Sequence, residues 1–255
     1  MNTVAIVQAR MGSTRLPGKV LRRLDGLSIV ELICERLKNC ETIDRIVVAT
    51  SRSEKDDPLA EELKRIGIPC YRGDESDVLD RYFQAASVER ADIVVRITGD
   101  CPLIDPEVVD TVVRTLKESP ALAYVSNFAP PTFPDGLDAE AMTFAALSRM
   151  WQEARSAFDR EHVTPYLRAN PEWFPQVNIA SDIDYSGYRW TLDEERDFAF
   201  LHAFVASAKA LGIDPRLAGL ESWLHVAENE PRLSQINEGI VRNAGSMQPT
   251  GGSGL

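Results

Sequence analysis

The feature that most constrains this chain is a rhythm in which short β-branched runs alternate with segments of helical period. Val4–Val7, Arg45–Thr50, Ile68–Tyr71, Ile93–Thr98 and Ala123–Ser126 read as strands. Between them, helices are expected over 28–39, 57–67, 77–89 and 105–119. The first opens on Ser28-Ile29-Val30-Glu31, a capping box in which the hydroxyl and the carboxylate each serve a free amide. Asp57-Pro58 and Asp105-Pro106 place an aspartate cap ahead of a proline, which needs no donor in the first turn. Such alternation predicts βαβ units and an α/β fold with a mostly parallel sheet. In sheets of this kind, ligands sit beyond the carboxyl ends of the strands.

Two turns at those ends carry the chemistry. The first strand breaks into a loop containing Gly12, Ser13, Thr14, Pro17 and Gly18 together with Arg10, Arg15 and Lys19. Glycines let backbone amides approach oxygens closely, and cations cancel their charge, so the loop is suited to a nucleotide triphosphate. In a chain of 255 residues with net charge −11, such a cluster stands out. The same acidity disfavours nucleic acid and anionic membrane as partners. Two common phosphate loops fail on chemistry. A Walker loop needs the glycines one residue closer and a hydroxyl where Val20 stands, and the G-x-G-x-x-G dinucleotide pattern is absent. The second turn, Gly99-Asp100, follows the fourth strand and belongs at the same end.

After the fifth strand the rhythm changes. Residues 137–143 read as extended, 144–154 and 160–169 as helices, 174–180 as a strand and 194–211 as a helix. One or two further helices are expected within 217–243. The reading is a single domain over 1–243, with 128–183 as an insertion over the sheet that supplies a lid, a sugar pocket or a dimer contact. The tail, 244–255, is expected to be disordered, having no means of forming a core. No run approaches the length of a membrane span, and no signal-peptide core precedes Arg10, so a cytoplasmic protein is expected. Cys34, Cys40, Cys70 and Cys101 lack metal-ligand spacing and read as reduced thiols.

The run Gln8-Ala9-Arg10-Met11-Gly12-Ser13-Thr14-Arg15-Leu16-Pro17-Gly18-Lys19 resembles the N-terminal signature of the CMP-sugar synthetases, and of CMP-Kdo synthetase in particular. Residues 96–104 (RITGDCPLI), 136–138 (GLD), 160–166 (REHVTPY) and 189–193 (RWTLD) are similar to the neighbouring SpsF-like branch, which serves spore-coat polysaccharide biosynthesis. The resemblance covers about 4–201. It implies a Rossmann-like nucleotidyltransferase fold, a three-layer sandwich, usually working as a dimer. The implied reaction joins CTP and a sugar, typically a 2-keto-3-deoxy acid, to give a CMP-sugar and pyrophosphate with magnesium (Mg2+). In this reading Asp100 and Asp193 hold the metal. Arg10, Arg15 and Lys19 contact the triphosphate, with Ser13 and the amides of Met11, Gly12, Ser13 and Thr14 forming the cradle. His162 and Tyr166 match a pair near the sugar. The branch departs from CMP-Kdo synthetase after Asp193, where Glu194-Glu195-Arg196-Asp197 carries no proline, and around 72–77, so CTP is inferred from the branch rather than from a base contact.

Other candidates keep two readings. Asp77 and Arg81, one turn apart, form either a surface ion pair or part of the nucleotide site. Asp138 and Glu140 alternate on one strand face, aimed at the sugar or at solvent. His162 is a ligand contact or a structural histidine, and Arg168 is a candidate for a sugar carboxylate. Asp193 also fits the N-cap of the helix that follows. Rival functions are a nucleotide-sugar glycosyltransferase, which normally shows Asp-x-Asp where this chain has Gly99-Asp100-Cys101, a sugar-1-phosphate nucleotidyltransferase with another loop, and a nucleotide-binding protein without turnover.

Overall fold

The structure, a computed structural model, describes residues 1–242. The expected disordered tail, 244–255, lies outside the described residues. Seven strands form the main sheet: β1 (Thr3–Gln8), β4 (Arg45–Ser51), β5 (Cys70–Gly73), β6 (Ile93–Thr98), β7 (Tyr124–Ser126), β8 (Glu140–Thr143) and β9 (Gln176–Asn178), in the order β5-β4-β1-β6-β8-β7-β9. β8 runs against its neighbours β6 and β7, and every other pairing is parallel.

The pleat divides the core in two. Ala5 and Val7 of β1 face one layer, and Val4 and Ile6 face the other. On the first face lie α1 (Ile29–Leu37), α2 (Asp57–Arg65), α4 (Pro106–Glu118), α8 (Glu195–Ala210) and α9 (Leu220–Asn229). Opposite them pack α3 (Val78–Val88), α5 (Phe144–Glu153) and α7 (Pro165–Ala169), through Leu79, Leu147 and Leu167. The result is the expected three-layer sandwich. Among the described residues no helix is long and apolar enough to cross a membrane.

Local chemistry explains most boundaries. Ser28 and Glu31 form the capping box of α1. Asp105 caps α4, accepting from the amides of Glu107 and Val108 at 2.7 and 3.1 Å. At α2 the cap lies one residue earlier than expected, at Asp56, whose side chain turns away from the helix. It accepts from Ser51 Oγ at 2.5 Å and from the amide of Met11 at 2.7 Å, which pins the start of the basic loop. A small hairpin, β2 (Arg23–Leu24) and β3 (Leu27–Ser28), escaped the sequence reading. Its signal was Asp25-Gly26, both at positive φ as a tight hairpin turn requires.

Residues 128–183, expected as an insertion over the sheet, supply β8 and β9 to the sheet itself. The expected helix over 160–169 is two short ones, α6 (Ala157–His162) and α7. They are separated by buried Val163 at φ +71° and by Pro165, which has no amide to continue the ladder. That break turns His162 toward the sheet end while Tyr166 faces outward.

A buried arginine fastens the later helices to the core. Arg36 of α1 has no exposed surface and donates to the carbonyls of Ile104 at 2.8 Å, Ala218 at 2.6 Å and Leu103 at 3.3 Å, and to that of Pro215. Burial lowers its pKa to about 10, against the opposing pull of Asp105, and the carbonyls supply the solvation that water would give.

Candidate active site

An open cleft of about 670 Å³ lies at the carboxyl ends of β1 and β6. That volume falls within the range of small-molecule sites. Its floor is Gln8, Arg96, Thr98, Gly99 and Asp100. Gly99 permits the close approach of the two strand ends, since a Cβ there would stand 2.9 Å from the carbonyl oxygen of Gln8.

One wall is the basic loop. The amide of Gly18 donates to the carbonyl of Met11 at 2.9 Å and closes the loop, with Gly18 at φ +71°. Buried Leu16 anchors it from beneath. Arg10, Ser13, Thr14, Arg15 and Lys19 line the cleft, whereas Met11 and Gly12 do not. The Met11 amide is committed to Asp56, so it does not belong to the expected cradle. The amides of Gly12, Ser13 and Thr14 donate to no protein acceptor among the described residues.

Asp100 and Asp193 meet across this wall. Lys19 Nζ lies between them, 3.3 Å from Asp100 Oδ2 and 3.0 Å from Asp193 Oδ1, and also donates to the Leu192 carbonyl at 2.6 Å. Lys19, expected to contact the triphosphate, here rests on the two carboxylates. Burial opposes the ammonium, but Asp100 and then Asp193 outweigh it and raise the Lys19 pKa above the usual lysine value. Burial likewise works against the Asp100 carboxylate. Lys19 and the Thr98 hydroxyl, donating at 2.5 Å, hold its pKa below the usual carboxyl range. Arg15 reaches Asp193 Oδ2 at 3.0 Å.

The two carboxylates and the Leu192 carbonyl make an all-oxygen donor set already occupied by a cationic group. Such donors fit magnesium, which commonly takes one or two carboxylates and completes its shell with water and phosphate. Among the described residues no group of three or more acidic, His or Cys side chains converges as a dedicated metal cage. The expectation that Asp193 caps α8 needs correcting. Glu194 is the N-cap, and Asp197 accepts from the amides of Asp193 and Glu194 at 2.9 and 3.0 Å.

Residues that the sequence reading gave no role support Asp193 from behind. Arg189 donates to both oxygens of fully buried Asp197 at 2.9 and 2.8 Å, to Asp135 Oδ2 at 2.8 Å and to Asp193 Oδ2 at 3.5 Å. Asn237 adds a bond to Asp197 at 3.0 Å. An arginine beside buried Trp190 was the available clue, but it implied no partner.

The opposite wall holds Phe128, Asp135, Asp138, Glu140, Glu161, His162, Thr164 and Arg168. Glu140 has both oxygens engaged, by Arg96 and by the Tyr124 hydroxyl at 2.6 Å, so it anchors the floor. Arg96, a cation within apolar β6, was legible as an oddity, but its partner was not. Asp138 receives a bond from Arg242 Nη2 at 2.5 Å. Burial pushes its carboxyl up to about 7 and that of Asp135 up to about 6, with Arg242 as the chief opposing influence on each. Burial lowers the His162 pKa. Arg168 lies 5.3 Å over the Phe128 ring and has no acidic partner among the described residues.

Besides Met11 and Gly12, three further candidates fall outside the cleft lining. Tyr166 donates to Glu153 at 2.9 Å on the outer face, separated from His162 by the break at Val163. Asp77 and Arg81 do not pair. Asp77 caps α3 and is gripped by Arg160 at 3.0 and 2.5 Å, while buried Arg81 donates to the carbonyls of Asp74 and Glu75. The physical reason is that Arg81 sits on the core face of α3, where backbone carbonyls replace an ion-pair partner.

Comparison with known proteins agrees with this geometry. A family model described as cytidylyltransferase matches residues 4–231. The chain is 35% identical over 243 residues to MJ1063 of Methanocaldococcus jannaschii, covering 94% of this chain and 96% of that one. It is 31% identical to the spore coat polysaccharide biosynthesis protein SpsF of Bacillus subtilis, covering 80% of this chain and 86% of SpsF. A solved cytidylyltransferase from Leptospira borgpetersenii superposes with a TM-score of 0.87 at 32% identity, over 94% of this chain and 99% of that structure. The fold, the paired carboxylates facing a cationic loop and a match over most of the sequence lead to one assignment: the chain belongs to the cytidylyltransferase family and is a nucleotidyltransferase.

Proposed function

We propose that the protein transfers the cytidylyl group of CTP to an acidic sugar of the 2-keto-3-deoxy type, releasing pyrophosphate, for surface polysaccharide or glycan synthesis. The observation that carries this reading is the juxtaposition, in one cleft, of Asp100 and Asp193 with Arg10 and Arg15 on one wall and, on the other, Arg168, which has no acidic partner among the described residues. Arg10, Arg15 and the amides of Ser13 and Thr14 suit the β and γ phosphates, which become the leaving group. Arg168 suits the sugar carboxylate, and His162 and Asp138, which line the same cleft, suit the hydroxyls.

In the reaction a sugar hydroxyl forms a bond to the α-phosphorus as the bond to the pyrophosphate oxygen breaks. The protein contributes mainly by aligning the two substrates and neutralising the leaving group. Asp100 and Asp193 would hold magnesium, which when bound polarises the α-phosphate. Arg189 and Asp197 keep the Asp193 main chain in place, and Thr98 orients Asp100. The working unit in this proposal is a homodimer, measurable by sedimentation.

Pyrophosphate release tests the reading, with each of four nucleoside triphosphates set against a panel of 2-keto-3-deoxy acids and neutral sugars. Turnover is expected with CTP and an acid. Activity confined to another nucleotide or to a neutral sugar phosphate would overturn it.

A further inference from the structure

We infer that Lys19 is an internal stand-in for the metal, so that the nucleotide-free protein excludes divalent cations and admits one only when a triphosphate draws the lysine away. An ammonium has three N–H donors. Here all three have acceptors, in Asp100 Oδ2, Asp193 Oδ1 and the Leu192 carbonyl. None remains for phosphate. For Lys19 to serve the triphosphate it must leave at least one of these oxygens, the same atoms that a divalent ion requires.

The backbone of Lys19 is fixed. Its amide donates to Leu16 at 3.2 Å, its carbonyl accepts from Arg22 at 3.1 Å, and neighbouring Val20 is buried. The exchange is therefore a swing of the side chain alone. A second cation of charge two entering beside a buried ammonium is repelled at short range, where screening is weak. Arg15, 3.0 Å from the outer oxygen of Asp193, adds to that repulsion. A triphosphate reverses the balance, because it offers both cations a stronger anionic partner and brings further oxygen ligands for the metal.

This inference rests on the reading of Asp100 and Asp193 as the metal-holding pair. Its test uses no sugar, so its failure is distinguishable from a failure to find turnover. Binding of Mn²⁺ to the nucleotide-free protein is measured by electron paramagnetic resonance for wild type, Lys19→Met and Lys19→Gln, with folding checked by thermal melting. Both variants should bind Mn²⁺ at least about tenfold more tightly than wild type, from loss of one adjacent charge. Equal or weaker binding by a folded variant overturns the proposal. Wild-type crystals give an answer free of folding effects. Soaked in Mn²⁺ alone, they should show no anomalous peak between the carboxylates. Soaked in Mn²⁺ with CTP, they should show one, with Lys19 moved onto phosphate. A peak beside a lysine still bridging the aspartates, or none in either soak, overturns it.

Discussion

The amide of Leu192 donates to the carbonyl of Asp100 at 2.8 Å, and the Thr191 hydroxyl donates to the same oxygen at 3.1 Å. The loop after β6 and the stretch before α8 are thus joined by main chain at the point where each presents its aspartate. Asp100→Asn leaves this joint intact while removing the charge. Turnover should fall by about a hundredfold or more, with little change in melting temperature. Near-normal pyrophosphate release in this variant would place the metal elsewhere.

Arg168 lines the wall opposite the basic loop and has no acidic partner among the described residues, which suits it to the sugar carboxylate of the proposed reaction. Replacement by Met should raise KM for a sugar acid about tenfold or more while leaving KM for CTP unchanged, as expected for loss of a charge-assisted contact. Steady-state kinetics with each substrate varied in turn makes the distinction. An equal effect on both constants would mean that Arg168 serves the fold or the nucleotide.

Asp77 and Arg160 tie α3 to α6 and stand outside the cleft lining. Asp77→Ala removes both the helix cap and the ion pair, so urea denaturation should show a loss of about 1–2 kcal/mol. KM for CTP should stay within about twofold, because the pair lies outside the cleft lining. A large rise in that KM would restore the nucleotide role that the sequence suggested.

Gly136 adopts φ +109°, and a Cβ there would lie 2.6 Å from the amide nitrogen of Thr191. Gly136→Ala should destabilise the protein by about 3 kcal/mol, from strained backbone and forced separation of two packed segments. Activity should fall with it, since Asp135 and Arg189 flank that contact. Chemical denaturation measures the first effect and pyrophosphate release the second.

Burial pushes the Asp138 carboxyl up to about 7 and that of Asp135 up to about 6, each above an unfolded value of about 4. The folded state therefore holds protons that the unfolded chain has lost. The associated stability is full below about pH 4 and declines as pH rises through the folded values. Arg242 opposes both shifts. Arg242→Met should raise both pKa values further, so its deficit in urea midpoint relative to wild type should widen between about pH 5 and pH 8. A deficit that is constant across pH would assign Arg242 a packing role only.

The parts of this molecule that were legible in sequence are those that local chemistry dictates. Ser28 with Glu31, Asp105 with Pro106 and the β-branched run of β1 each specify their own element without outside help. Arg10, Arg15 and Asp100 were singled out because loops after parallel strands converge on one end, and Asp193 because the 189–193 run resembles the family. What stayed hidden depends on partners distant in sequence. Arg189 and Asp197, Arg96 and Glu140, and Arg242 and Asp138 are pairs whose members are unremarkable until the fold joins them. Lys19 was placed in this cleft, but nothing in the loop reveals that its ammonium rests on Asp100, Asp193 and the Leu192 carbonyl.

The reversed strand β8 has a consequence for how such enzymes change substrates. The chain leaves the sheet at the end of β7, brings Phe128, Asp135 and Asp138 to the cleft, and re-enters between β6 and β7 as β8, after which α6 and α7 add His162 and Arg168. Both ends of the β7–β8 excursion are clamped by strand pairing, while the basic loop hangs from β1 on the other side of β6. If the proposed function holds, replacements between β7 and β8 should change which acceptor is taken while leaving the loop after β1 in place.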